Sequence, residues 1–242
     1  MQIFFILVCS LIPFIKGKTF LGKDISSKKL PSAYPCDYNK YTLGLSTFIT
    51  QSKIQGQDLS TNGENLQKGI EGVITGAYTT NQSSTKDAFY TLCNAQANFY
   101  GQLGFSNVVG CINVLSLVQH NYSIPDAYLF EQIFSSLDYQ CSSGFRINMD
   151  HINDYAFTLI NSNTVIESIY NNFNSSINLP SSNDVKKCEA LKKYHDNMGK
   201  LFGGSSNSSE FGYSICEQSA IYMLVKLPQC YSPVYDCNFM DF

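Results

Sequence analysis

The stretch DAFYTLCNAQANFYGQL, residues 87–103, decides the fold class. Phe89, Leu92, Gln96, Phe99, Tyr100 and Leu103 recur at three- and four-residue steps, and only Gln96 among them is polar. That spacing lines them up along one side of a helix, because successive residues turn by about 100°. Strict alternation, the mark of a half-buried strand, is nearly absent here and elsewhere in the chain.

The same period extends in both directions. Upstream, Tyr38, Tyr41, Leu45, Phe48 and Ile49 predict a helix over 38–54, and Leu66, Ile70, Val73, Ile74 and Ala77 another over 64–79. Downstream, Val108, Ile112, Leu115 and Val118 make the next stripe, and Pro125 opens a helix carrying Phe130, Ile133, Phe134 and Leu137. Asp150 is placed to cap a long helix running from Ile152 through Tyr155, Leu159, Ile166, Ile169 and Tyr170 to Phe173. Asn183 or Asp184 caps a segment with Cys188, Leu191, Met198, Leu201 and Phe202, closed by Gly203-Gly204. A last helix over 211–226 stops before Pro228, which cannot continue it. The chain therefore reads as an all-α, disulfide-stapled bundle of about eight amphipathic helices.

One self-match adds a second reading. Tyr90-Thr91-Leu92-Cys93 with Ala97 and Phe99 parallels Tyr213-Ser214-Ile215-Cys216 with Ala220 and Tyr222. An acidic residue precedes each cysteine by six positions (Asp87, Glu210), and a sequon lies upstream of each. Two related halves, 18–123 and 124–242, would explain this, with the boundary in the Asn121–Pro125 turn. Coincidence between two amphipathic helices is the competing explanation, and one continuous domain over 18–242 is then expected.

Residues 3–15 (IFFILVCSLIPFI) are an apolar block of secretory-leader length, so residues 1–17 are expected to be a removed signal peptide. No other run approaches a membrane span, and no stable membrane insertion is expected. Eight cysteines follow the leader: Cys36, Cys93, Cys111, Cys141, Cys188, Cys216, Cys230 and Cys237. An even number in an exported chain reads as four disulfides, whose pairing the sequence leaves open. Four sequons, at Asn81, Asn121, Asn174 and Asn207, fall in polar, turn-like stretches and are expected to carry glycans at the surface. The implied compartment is extracellular.

Composition narrows the partners. Charged residues are 14% of 242, aromatics another 14%, and Arg146 is the sole arginine, so a nucleic-acid surface built on guanidinium forks is excluded. Lys186, Lys187, Lys192, Lys193 and Lys200 gather on one predicted helix, but Glu189 and Asp196 interrupt them and the group reads as a solvated face. Gly72-x3-Gly76 reads as a place for another helix to approach.

Catalytic templates fail. GxSxG, HExxH, P-loop and GxGxxG motifs are all missing. Cys188-x6-His195-Asp196 is similar to the secreted phospholipases A2, whose catalytic helix carries a His-Asp pair between cysteines. Here Tyr194 and Asn197-Met198 occupy the flanking positions, and no Gly-rich calcium loop lies upstream, so the resemblance is set aside. His195 then reads as a solvated helix residue, Asp150 as a cap, and Asp154 as a first-turn solvent carboxylate beside His151. The pairs Glu64/Glu71 and Glu131/Asp138 read as ordinary polar helix faces.

No catalytic, cofactor or metal residue is therefore assigned. The function expected is a secreted, N-glycosylated, non-catalytic module that binds an extracellular protein or glycan or serves structurally. The alternative is a carrier of a lipid or other small apolar ligand; a hydrolase ranks third. Because aromatics ordinarily fill a core, no apolar cavity of the usual ligand-site size, about 300–1,000 Å³, is expected.

Overall fold

A computed structural model describes residues 35–231 and Cys237. The expected leader over 1–17 lies outside the described residues. Eleven α-helices follow one another, with no strand among the described residues. They are α1 (Tyr38–Gln51), α2 (Gly63–Thr80), α3 (Ser84–Leu103), α4 (Phe105–Cys111), α5 (Val114–Gln119) and α6 (Ile124–Cys141). The rest are α7 (Phe145–Asp150), α8 (Ile152–Asn161), α9 (Asn163–Ile177), α10 (Asp184–Ser206) and α11 (Ser209–Leu224), before a 3-10 turn at Pro228–Cys230.

Local chemistry sets the helix starts. Asn62, Asn113, Ser123, Asn183 and Ser208 each accept a backbone N–H from the first turn of the helix they open. Such caps stabilise a helix by about 1 kcal/mol each. Pro125 sits in the first turn of α6, where a missing N–H costs nothing.

There are more helices than the apolar period suggested because breakers interrupt three stripes. Gly104, at φ +73° and ψ 154°, occupies backbone space that side chains rarely tolerate and separates α3 from α4. Asn113 ends the next stripe and caps α5, so Leu117 is buried while Leu115 (58% exposed) and Val118 (37%) face outward. Asp150 does not cap the expected long helix. It is the last residue of α7, and His151 takes the position before α8, without a side-chain cap bond. That long helix is itself split at Ser162 into α8 and α9. Gly203-Gly204 does not stop α10, which runs to Ser206 and ends where Asn207 turns left-handed at φ 51°.

The core has several centres. In the first, α1 packs on α3, and Tyr41, Leu45, Phe48, Leu92, Phe99, Phe130 and Phe134 are fully buried. The Phe48, Phe99 and Phe134 rings meet at centroid distances of 5.3–6.1 Å, a geometry that adds about 0.5–1.5 kcal/mol per pair beyond area. Gly44 permits this approach, because a Cβ there would lie 2.8 Å from the Phe99 ring. A second centre lies where α10 packs on α11 and α9, around Phe173, Leu191 and Met223. Helix α6 touches both α2 and α11, so it links the two ends.

Four disulfides tie these elements: Cys36–Cys111, Cys93–Cys141, Cys188–Cys230 and Cys216–Cys237. Cys93–Cys141 crosses the 123/124 boundary, whereas the other three close within one side of it. Cys93, Cys111, Cys188, Cys216, Cys230 and Cys237 are buried, so the bridges staple helices from inside. The described residues belong to one compact unit. No helix among them is long and apolar enough to cross a membrane.

Candidate functional site

The expectation of a filled interior does not hold. Helices α2, α6, α8, α9, α10 and α11 line a half-open cavity of about 570 Å³, within the range usual for small-molecule sites. Its apolar wall comes from Ile133, Leu159, Ile166, Met198, Phe202 and Ile215. The reason lies in packing: opposite α2 and α6, the helices α8, α9, α10 and α11 present Tyr155, Tyr170, Tyr194 and Tyr222 respectively. These side chains are long enough to hold the helices apart and carry a hydroxyl that resists dry closure.

A polar strip crosses this wall. The Tyr222 hydroxyl donates to Gln67 Oε1 (2.9 Å), and Gln67 Nε2 donates to Glu71 Oε1 (3.0 Å). Burial pushes the Glu71 carboxyl above the usual carboxylate range, against the Gln67 bond and the Lys68 charge, which lower it. Burial also holds the Tyr155, Tyr194 and Tyr222 phenols well above normal, with the Glu71 carboxylate adding to it at all three and neighbouring phenols at Tyr194 and Tyr222. The Gln218 side chain hydrogen-bonds Tyr155, and its Oε1 is sealed from the cavity.

Of the carboxylates read as solvated, Glu64 and Asp138 are exposed, whereas Glu71 and Glu131 are half-buried. Glu64, exposed at the edge of the cavity, pairs with Lys68 at 2.5 Å, and Glu71, two helical turns further on, lines the cavity half-buried. Glu131 Oε2 accepts the Val114 N–H at 2.6 Å and so seats the start of α5. Asp138 accepts from Gln96 Nε2 at 2.6 Å, and burial pushes it up to about 6. Gly72 and Gly76 meet no other helix; they face an open groove of about 870 Å³ beside α3.

His195 is fully buried instead of solvated. Its Nδ1 lies 3.0 Å from Cys216 Sγ, 3.9 Å from Cys237 Sγ and 3.3 Å from Asp196 Oδ1. The three residues His195, Cys216 and Cys237 have a metal-binding composition. Both sulfurs are committed to one disulfide, however, and a disulfide sulfur is not the thiolate that ligates zinc.

Asp154 does not simply face solvent. His151 Nδ1 is 2.9 Å from Asp154 Oδ2, and His151 Nε2 is 3.3 Å from Ser208 Oγ. The contacts follow the order of a nucleophile, base and orienting acid. Yet Ser208 Oγ also accepts the Phe211 N–H as the cap of α11, and the His151 ring stacks on Phe211 at 4.9 Å. None of the three lines either cavity. The group ties α8 to α11.

The sequons divide. Asn81, Asn121 and Asn207 are exposed at helix ends, as turn-like acceptors should be. Asn174 instead lies inside α9 and is half-buried.

Comparison of the chain with protein families, with curated proteins and with solved structures found no match.

Proposed function

We propose that this chain is an exported, disulfide-bonded, N-glycosylated helical protein that carries a small amphipathic molecule in the cavity between α2, α6 and α8–α11. The cavity itself carries the reading: about 570 Å³, apolar on most of its wall, with a few convergent polar groups to orient an occupant. A module that only docked to a protein or glycan would have no use for such an interior. Four bridges support the extracellular assignment, because disulfides of this number persist in oxidising compartments. The bridges also suit a carrier, since covalent ties hold helices in place around a space that side chains do not fill.

The test uses N-phenyl-1-naphthylamine, an uncharged probe whose emission rises in apolar surroundings. The wild-type protein is expected to give saturable emission at one probe per chain. Ser136→Phe on α6 and Ser219→Phe on α11 each place a ring into the cavity from a buried serine, and each should weaken binding roughly tenfold or more, by occupying the ligand's volume. Thermal unfolding shows which variants fold. No saturable emission from the wild type, or undiminished binding in a folded variant, overturns the reading.

A further inference from the structure

We propose that the occupant of this cavity is an organic ammonium: an apolar body carrying one positive charge. This rests on the carrier reading and adds the class of ligand. The charges that line the cavity are unbalanced. Glu64, Glu71 and Glu167 contribute three carboxylates, and Lys68 is the only cation among the described lining residues. Lys68 already pairs with Glu64 at 2.5 Å, outside the interior, where both side chains are about two-thirds exposed. Glu167 is exposed and accepts from Asn163 Nδ2. Glu71 remains, facing the interior with one neutral donor, Gln67 Nε2 at 3.0 Å.

Around that carboxyl the chain supplies groups that suit a cation. Tyr222 is joined to Glu71 through Gln67, and Tyr155, Tyr170 and Tyr194 line the same cavity. Tyrosine rings attract a cation placed over their faces, and the attraction grows as water is excluded. An anionic ligand would meet three carboxylates with only Lys68, already paired with Glu64, to offset them. A neutral ligand would leave the half-buried Glu71 carboxylate with only Gln67 Nε2 and the shared Lys68 charge in its favour. Burial penalises that carboxylate, as its raised pKa reflects; an ammonium beside it reverses the penalty.

The experiment compares three probes of one chain length, decylammonium, decanol and decanoate, below their aggregation limits at pH 7.5 and physiological salt. Affinity is read by titration calorimetry on the disulfide-bonded protein. Wild type should bind decylammonium at least about tenfold tighter than decanol, the scale of one charge-assisted hydrogen bond, and decanoate more weakly than decanol. Glu71→Gln keeps the side-chain shape, and should lower decylammonium affinity to that of decanol while leaving decanol unchanged. Glu64→Gln, at the exposed pair, should preserve the preference, which separates the interior charge from the general negative charge of the surface. Equal binding of decylammonium and decanol, or a preference that survives in Glu71→Gln, overturns the ammonium assignment and leaves the carrier reading standing. Binding of none of the three refutes the carrier reading itself.

Discussion

Removing the Cys93–Cys141 bridge is the perturbation whose size follows most directly from the structure. The bridge closes a loop of 48 residues between α3 and the end of α6, beside the Phe89–Phe145 ring stack. Chain entropy for a loop of that length corresponds to about 4 kcal/mol at 25 °C, gained by restricting the unfolded state. The double variant Cys93→Ala/Cys141→Ala leaves no stray thiol to reshuffle the other three pairs. It also removes two sulfur atoms from the Ile74, Phe89 and Ile152 cluster, a small cavity penalty in the same direction. For a chain of this size about 1 kcal/mol corresponds to about 2–4 °C in Tm, so a fall of about 8–16 °C is expected. The assay is thermal and urea unfolding followed by far-ultraviolet circular dichroism, with the remaining bridges verified by mass. A drop under about 3 °C, with three bridges intact, would refute the claim that these bridges hold the helices together.

Other outcomes follow from particular side chains. Asp138 has a folded-state pKa of about 6 against an ordinary 3.8, because burial opposes its charge. The fold is therefore penalised above pH 6 and free of that penalty below about pH 4. Asp138→Asn should be more stable than the parent by at most about 1 kcal/mol at pH 7.5, a value well below the full shift because the residue is exposed, and the gain should vanish by about pH 4. Ser208→Ala removes the α11 cap and should cost about 0.5–2 kcal/mol, while hydrolysis of p-nitrophenyl esters stays at the background rate in both proteins; serine-dependent turnover by the wild type would contradict the structural role given to Ser208, His151 and Asp154. In protein secreted from eukaryotic cells, peptide-N-glycosidase treatment should convert Asn81, Asn121 and Asn207 to Asp and leave Asn174, inside α9, unchanged.

The fold was legible where one helix face meets one core. The stripes over α1, α2, α3 and α6 follow the apolar period, and Phe89, Leu92, Phe99, Phe130, Phe134 and Leu137 are buried as that period predicts. The breaks were harder to read. Gly104 and Asn113 act through backbone conformation and capping, which an apolar count passes over. His195 escaped notice for a different reason: its neighbours Lys192 and Lys193 suggested water, but α10 packs on α9 on one side and α11 on another, so little of it is left to face outward. The cavity was the least visible feature. Gln67 and Glu71 sit four residues apart at the margin of the Ile70–Ile74 stripe, where any solvated helix carries polar groups. Only the placement of Tyr155, Tyr170, Tyr194 and Tyr222, drawn from four different helices, makes that margin the wall of an interior.

The most direct test of that interior is methyl NMR of isoleucine- and methionine-labelled protein during titration with decylammonium. The signals of Ile133, Ile166, Met198 and Ile215, on four different helices, should move together and saturate at one ligand per chain. Movement confined to the exposed Ile124 and Ile160, or no saturable movement at all, would contradict a ligand site inside the bundle.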